Sequence, residues 1–140
     1  MELQIKKLHP DAKVPTFAHA NDAGMDLYSF ETIVIPAGER ALVTTGIAMA
    51  IPAGYVGLIW DKSGLSNKSG LKVLGGVIDA GYRGEILVGI LNTSTETHTF
   101  AAGDKVAQML IQAVVQPILV TVHQLDGTSR GDGAFGSTGV

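Results

Sequence analysis

Short apolar runs separated by turn residues dominate the pattern of the chain. Runs rich in Val, Ile and Leu predict strands at residues 3–8, 32–35, 41–51, 55–60, 85–92, 105–115 and 118–124. Pro-Ala-Gly at 36–38 and again at 52–54 predicts turns. Only residues 63–69 are compatible with a short helix. The pattern therefore indicates an all-β barrel or sandwich without an internal repeat.

One predicted strand is apolar on both of its alternating faces. The run Ile86–Leu91 has no polar position, whereas an antiparallel sheet usually exposes one face to water. Such a strand is central in a sandwich or meets another subunit. Only 16% of the chain is charged, against about 25% in an average soluble protein. This shortage favours an oligomer. Trp60 is expected in the core.

Composition and charge exclude several classes of protein. A chain of 140 residues predicts one domain with a single core. The net charge of −3 argues against a broad contact with duplex nucleic acid. The lack of cysteine excludes disulfides and zinc–cysteine sites. The N-terminus does not resemble a signal peptide, and no apolar run approaches the roughly 20 residues that span a bilayer. We therefore expect a soluble cytoplasmic protein without membrane partners.

The last 14 residues contain five glycines and no core-forming pattern. They predict a tail that is mobile when free, and composition alone is equally consistent with an ordinary disordered end. A functional alternative rests on the side chains present. Arg130 offers a planar fork to phosphate oxygens, and Gly136 beside Ser137 and Thr138 lets N–H and hydroxyl groups converge on them. Phe135 could stack on a flat ligand.

Polar residues near turns are the other candidates. Asp79 is either a surface acid in a hairpin or a base that orients a water, with Tyr82 as a ring wall. Ser63 is either a helix cap or, with the charge of Lys62 beside it, part of a phosphate site. Asp26 is either a turn residue or a support for a hydrated divalent ion. Sequence alone does not decide between these alternatives.

Five segments, taken together and in order, resemble the motifs of the homotrimeric dUTPases. They are AGMDLYS at 23–29, KSGLS at 62–66, GVIDAGYRGE at 76–85, GDKVAQMLI at 103–111 and RGDGAFGSTG at 130–139. The third and fifth are the most specific. The resemblance implies a jelly-roll-like β-barrel at 1–126 and a Gly-rich tail at 127–140. It also implies a homotrimer whose active sites lie at subunit boundaries, each closed by such a tail.

The activity implied by the resemblance is the hydrolysis of dUTP to dUMP and pyrophosphate, which limits uracil in DNA and supplies dUMP for thymidylate synthesis. Water would attack the α-phosphorus in line. Asp79 would activate that water, and Gln108 would help to hold the phosphate and water arrangement. A hydrated Mg²⁺, bound mainly by the three phosphates, would be supported by Asp26 through water, since Mg²⁺ keeps waters and takes few protein ligands.

The resemblance also implies the substrate contacts. Backbone groups of a hairpin at Val73, Gly76 and Val77 would read the uracil edge, and cytosine would leave some of them unpaired. Tyr82 would lie against the deoxyribose and leave no room for a 2′-hydroxyl. Phe135 would cover the base. The remaining contacts would be to the phosphates, from Lys62, Ser63, Gly64, Arg130, Gly136, Ser137 and Thr138.

Four positions depart from the usual motifs. Lys62 and Lys105 stand where the family usually has arginine, and lysine keeps the charge but loses the bidentate fork. Asp61 precedes Lys62 in place of a proline or glycine. Val73 stands where many members have asparagine.

Two alternative functions share the expected fold. A dCTP deaminase needs a catalytic glutamate in its own third-motif context, and Glu85, the only acid nearby, does not match that context. A trimeric interaction module that has lost turnover is the second alternative. The presence of Asp79, Tyr82 and the tail argues against it.

Overall fold

The computed structural model describes residues 1–134, and their backbone forms an all-β fold. The elements are β1 Gln4–Lys7, β2 Met25–Tyr28, β3 Ile33–Ile35, β4 Arg40–Ala50, β5 Tyr55–Trp60, α1 Ser63–Ser69, β6 Leu71–Leu74, β7 Val77–Ile78, β8 Glu85–Asn92, β9 His98–Phe100 and β10 Lys105–Ala113. Within this part of the chain no helix is long and apolar enough to cross a membrane.

The strands form two four-stranded sheets and one strand pair. Their orders are β1-β4-β8-β6, β2-β10-β5-β7 and β3-β9, and every pairing is antiparallel. In the described chain each strand lies in a different sheet from the strand that precedes it. Such crossing between sheets is typical of a jelly roll, and the predicted all-β, jelly-roll-like fold is confirmed.

The hydrophobic core lies between the two larger sheets. Along β8, Ile86, Val88 and Ile90 are at most 1% exposed, and they pack with buried residues of both sheets, including Leu27 and Met109. The alternate β8 positions are only half-buried. One apolar face of β8 therefore fills the core, and the other is half-buried at the surface of the single chain.

The predicted secondary structure agrees with the structure except at short or solitary segments. The strands predicted between residues 3 and 115, and the helix at 63–69, are confirmed with small shifts of their ends. The strand predicted at 118–124 is wrong, because this apolar segment pairs with no strand within residues 1–134 and Ile118 and Leu119 are about nine-tenths exposed. Strands β2, β6, β7 and β9 were not predicted, since their two to four residues lie beside turn residues.

A bulge in β4 is held by one carboxylate. The register between β4 and β8 shifts between Thr44 and Ala48. At the bulge the N–H groups of Thr45 and Gly46 donate to Glu85 Oε1 at 3.1 and 2.7 Å. Gly46 has a φ of 68°, and a Cβ there would lie 2.8 Å from the Ala12 Cβ. Glycine is therefore required for both its backbone conformation and its close packing.

We expect Gly46→Ala to lower the free energy of unfolding by about 3 kcal/mol, because it adds overpacking to the strain of a positive φ. Gly54→Ala is the matched control: Gly54 has a φ of 82°, but a Cβ there would meet no atom within 4 Å. Its expected cost is about 1 kcal/mol. Urea denaturation of both variants measures the difference, and equal losses would contradict the packing argument.

Candidate active site

Asp26 is a buried carboxylate held between two lysines. Its side chain is 4% exposed; Lys62 Nζ pairs with Oδ1, and Lys105 Nζ lies 2.6 Å from Oδ2. Burial raises the pKa of Asp26, but the hydrogen bonds and charges of Lys105 and Lys62 outweigh burial and hold this pKa below its usual value. The pairing with Asp26 also raises the pKa of Lys105. Asp26 therefore stays ionised, and the three side chains together carry one positive charge.

A row of side chains across the second sheet forms the floor of a pocket. Strand β10 lies between β2 and β5, so Gln108 is paired with Asp26 on one side and with Trp60 on the other. These three residues and Lys62 line a pocket of about 490 Å³. The structure thus brings together Asp26, Lys62 and Gln108, which come from three separate segments of the sequence.

The Gln108 amide is fixed by its neighbours. Its Nε2 donates to the carbonyl oxygen of Asp61 at 2.8 Å. On the other side, a Cβ on Gly24 would lie 2.6 Å from Gln108 Oε1. Gly24 therefore leaves the space that the amide occupies, and the amide is held in place at the edge of the pocket.

Lys62 stands at the entrance to helix α1. The helix begins at Ser63, so Lys62 occupies the N-cap position, and the interpretation of Ser63 as the cap is wrong. Ser63 and Gly64 are exposed on the first turn, and a Cβ on Gly64 would meet nothing within 4 Å. Both residues are open to a ligand that reaches Lys62.

The segment between β6 and β7 is a hairpin whose two strands do not pair with each other. β6 is the edge of one sheet and β7 the edge of the other. Gly75 and Gly76 join them with φ values of 69° and 104°. The Gly76 carbonyl accepts the Ile59 N–H at 2.7 Å, and a Cβ on Gly76 would lie 2.7 Å from the Ile59 carbonyl oxygen. A hollow of about 200 Å³ lies here, and its lining includes Trp60 and Val77.

Val73 contributes its backbone to this region, since its side chain packs against the hydrophobic core. Its N–H donates to Asp61 Oδ1 at 2.6 Å. The asparagine that many family members have at this position is therefore replaced by a residue with a packing role. While the bond to Asp61 holds, the Val73 N–H is not available to a ligand.

Asp79 and Tyr82 share a turn that follows the hairpin. The Tyr82 N–H donates to the Asp79 carbonyl at 3.0 Å, and the Tyr82 hydroxyl donates to the Glu85 carbonyl at 2.9 Å. Asp79 is exposed and the Tyr82 side chain is 41% exposed. Neither residue lines the pocket that holds Lys62 and Gln108. A single described chain therefore does not bring all of the predicted site residues together.

After β10 the described chain continues to residue 134 as a largely exposed segment without helix or strand. Arg130 lies in a turn in which its Nε donates to the Gly133 carbonyl at 3.0 Å, and it is exposed. Phe135, Gly136, Ser137 and Thr138, the other predicted contacts of the tail, lie outside the described residues.

Two residues of the site were not predicted from the sequence. Trp60 is 54% exposed and lines the pocket, so its assignment to the core is wrong. The alternation of side chains along β5 would have predicted this exposure. Ile59 points into the core, and Trp60, the next residue, must therefore point outward. Asp61 links Gln108 and Val73, and no local sequence pattern indicates that a residue beside Lys62 would contact either one.

The family model described as dUTPase matches residues 10–139 of the chain. A deoxyuridine 5′-triphosphate nucleotidohydrolase of Mycolicibacterium gilvum is 48% identical, over 98% of this chain and 94% of the relative. The protein of the same name from Nocardia farcinica is 49% identical, over 98% of this chain and 85% of the relative.

Solved structures agree with these relatives. A variant of the Staphylococcus bacteriophage 80alpha dUTPase with dUpNHpp superposes with a TM-score of 0.94 at 32% identity, covering 99% of both chains. A variant dUTPase of phage phi11 of S. aureus, described as revealing the coordination of a structural Mg(II) ion, superposes with a TM-score of 0.83 at 33% identity and covers 89% of this chain and 98% of its own.

We expect Asp26→Asn to lower the free energy of unfolding by about 1–3 kcal/mol, because the neutral amide leaves the two lysines without their shared counter-ion. Asp22→Asn is the control, since Asp22 lines the same pocket but is exposed and only accepts the local His19 N–H. Its expected change is within about 0.5 kcal/mol. Urea denaturation measures both variants. If the free energy of unfolding of Asp26→Asn equals that of the unsubstituted protein, the ion pairs of Asp26 do not stabilise the fold.

Proposed function

Because this chain belongs to the dUTPase family, we propose that it hydrolyses dUTP to dUMP and pyrophosphate at a site shared between subunits. The observation that carries the proposal is the pocket at which Asp26, Lys62 and Gln108 converge. These residues lie in three of the five family motifs. The hairpin of β6 and β7, which leads into the third motif, follows helix α1 in the chain.

The open edges of β6 and β7 support uracil recognition by the hairpin. Edge strands carry backbone N–H and C=O groups without ladder partners, and uracil presents an acceptor, a donor and an acceptor in a fixed order. Backbone groups at Gly76 and Val77 would read that order. Cytosine has a donor where uracil has O4, so it would leave buried groups unpaired, and this penalty discriminates strongly.

A lysine at the pocket suits a triphosphate. The Asp26, Lys62 and Lys105 cluster carries one positive charge, and Lys62 is the cation of this cluster that lines the pocket. The Lys62 ammonium and the Ser63 hydroxyl would contact the phosphates near the bond that breaks. Arg130, Ser137 and Thr138 of the tail would hold the terminal phosphate, and Phe135 would cover the base.

The donor set fits a magnesium ion that arrives with the substrate. Within residues 1–134 no group of three or more histidine, aspartate or glutamate side chains is arranged to hold a metal. Both Asp26 oxygens already lie against lysine ammonium groups. This suits Mg²⁺ that would be bound mainly by phosphates and water, and Asp26 would support it only through water. When bound, Mg²⁺ supplies neutralisation of the charge that develops on the leaving pyrophosphate.

The reaction is an in-line displacement at the α-phosphorus. The water oxygen forms a bond to this phosphorus while the bond to the bridging oxygen breaks and pyrophosphate leaves. Asp79 accepts the water's proton, and Gln108 holds the phosphate and water arrangement. Positioning and charge neutralisation supply most of the acceleration, as in other phosphoryl transfers.

We propose a homotrimer because one chain leaves apolar surface uncovered. In the segment after β10, Val115, Ile118 and Leu119 are 85–92% exposed. On β4, Leu42 is 60% exposed beside the half-buried face of β8. Exposed apolar area of this kind is typical of subunit interfaces. A neighbour would supply Asp79 to the pocket, and a third subunit the tail, whose 14 residues extend roughly 46 Å at about 3.3 Å each.

The structure gives Glu85 a role that differs from deaminase catalysis. Its carboxylate accepts the N–H groups of Thr45 and Gly46 in the β4 bulge and is therefore committed to the backbone of its own chain. This supports the hydrolase over the dCTP deaminase alternative.

A substrate panel tests the proposed function. With Mg²⁺ present, we expect pyrophosphate release from dUTP, with a strong preference over UTP because the Tyr82 ring leaves no room for a 2′-hydroxyl. Ammonia release from dCTP would identify a deaminase instead. Absence of turnover with all three nucleotides would indicate an interaction module.

We expect Asp79→Asn to lower kcat by about 10²–10⁴, because the amide cannot accept the water's proton. Its affinity for the analogue dUpNHpp should stay close to that of the unsubstituted protein, since the side chains have similar shapes. Steady-state kinetics and calorimetric titration separate the two quantities. Near-normal turnover would remove Asp79 from the role of base.

A chain ending at Asp126 should fold and assemble but hydrolyse dUTP poorly. The removed residues include Arg130, the hydroxyls of Ser137 and Thr138, and Phe135, and base–aromatic stacking contributes about 1–3 kcal/mol per base. Phe135→Ala should therefore show a milder loss than truncation. Light scattering checks assembly, and turnover equal to that of the full chain would mean that the tail is an ordinary disordered end.

A further inference from the structure

We propose that Asp61 is a positioning residue that fixes the base-reading hairpin relative to the phosphate-binding residues. The inference rests on the proposed function, because it concerns how two parts of that site are held together. Asp61 lies between Trp60, the last residue of β5, and Lys62 at the start of α1.

Asp61 contacts two separate elements with different atoms. Its Oδ1 accepts the Val73 N–H of β6 at 2.6 Å, and its Oδ2 lies 2.5 Å from Lys72 Nζ. Its backbone carbonyl accepts Gln108 Nε2 of β10 at 2.8 Å. The Asp61 side chain is 20% exposed, so its carboxylate is largely screened from water and committed to the hairpin.

The hairpin benefits from such an anchor because its two strands belong to different sheets and do not pair with each other. β6 pairs only with β8, and β7 pairs only with β5 in the other sheet. Two glycines at positive φ join them. The Val73 N–H donates to a side chain across the open edge of β6, where no strand is present. β5 contacts the β7 side of the hairpin through its pairing with β7 and through the bond between Ile59 and Gly76, whereas Asp61 contacts the β6 side through Val73.

Fixing this separation has a direct catalytic consequence. The hairpin places the base, whereas Lys62 and Gln108 lie where the phosphates are placed. A substrate held at both ends reaches the reactive geometry only when the distance between the two contacts is correct. Asp61 sets this distance without touching the substrate.

The hydrogen bond to Val73, and not the ion pair with Lys72, is the effective part of the anchor. The Lys72 side chain is 55% exposed, and exposed ion pairs contribute little. A charged acceptor on a backbone N–H is stronger. Asparagine can still accept the Val73 N–H, whereas alanine cannot. The two substitutions therefore separate the hydrogen bond from the charge.

The experiment compares the full-length protein with Asp61→Ala, Asp61→Asn and Lys72→Gln. For Asp61→Ala we expect KM for dUTP to rise about tenfold, with a fall in the ratio of kcat/KM for dUTP over dCTP. Inhibition by inorganic tripolyphosphate, which contacts only the phosphate end, should not change. Asp61→Asn and Lys72→Gln should both retain most of the dUTP preference.

A merely structural role predicts a different pattern. It would lower the melting temperature and the active fraction while leaving KM and the dUTP to dCTP ratio unchanged. That result for Asp61→Ala, or an Asp61→Asn variant as impaired as Asp61→Ala, would overturn the proposal. Should the unsubstituted protein fail to hydrolyse dUTP, the proposed function itself fails, which is a separate outcome.

Discussion

The ion pairs of one buried carboxylate organise the pocket. Asp26 lies on β2, and its two lysine partners come from the start of α1 and the start of β10. A carboxylate that is 4% exposed is costly unless it is paired, so the Asp26 charge determines where Lys62 and Lys105 can lie. With Lys62 drawn to β2, Trp60 and Gln108 complete the row that forms the floor of the pocket. The cation that faces the pocket is thus positioned by the same contact that neutralises the buried charge.

Periodicity and motif order predicted the long strands and several of the pocket residues. The predictions that failed concern features that depend on contacts between distant parts of the chain or on elements too short to show a period. Long strands such as β4 and β8 repeat their pattern often enough to be recognised, whereas β7 has two residues and no period. Trp60 is expected in the core, yet it lies beside Gln108 on the outer face of β5 and is 54% exposed. The apolar segment at 118–124 resembles a strand, but a strand needs a partner, and the described part of its own chain supplies none. Contacts between elements distant in sequence, such as the bond from Asp61 to Val73, have no local signature.

The departures from the usual motifs form a connected set. Lys62 and Lys105, both in place of arginine, share Asp26 through single ammonium contacts. Asp61, in place of proline or glycine, supplies an acceptor that neither of those residues has, and it binds the backbone of Val73. Val73 in turn uses its side chain for core packing. The hairpin is therefore anchored by a side chain from the neighbouring motif.

The central claim is that three subunits contribute to one active site, and subunit mixing tests it most directly. Asp79→Asn chains and chains ending at Asp126 are each expected to be nearly inactive alone. Equal amounts, unfolded together and refolded as mixed trimers, should recover about a quarter of full activity, because each of the two required subunits is competent in about half of random assemblies. Activity no greater than the mean of the two parent variants would contradict the account, since it would mean that Asp79 and the tail act on the same substrate from the same chain.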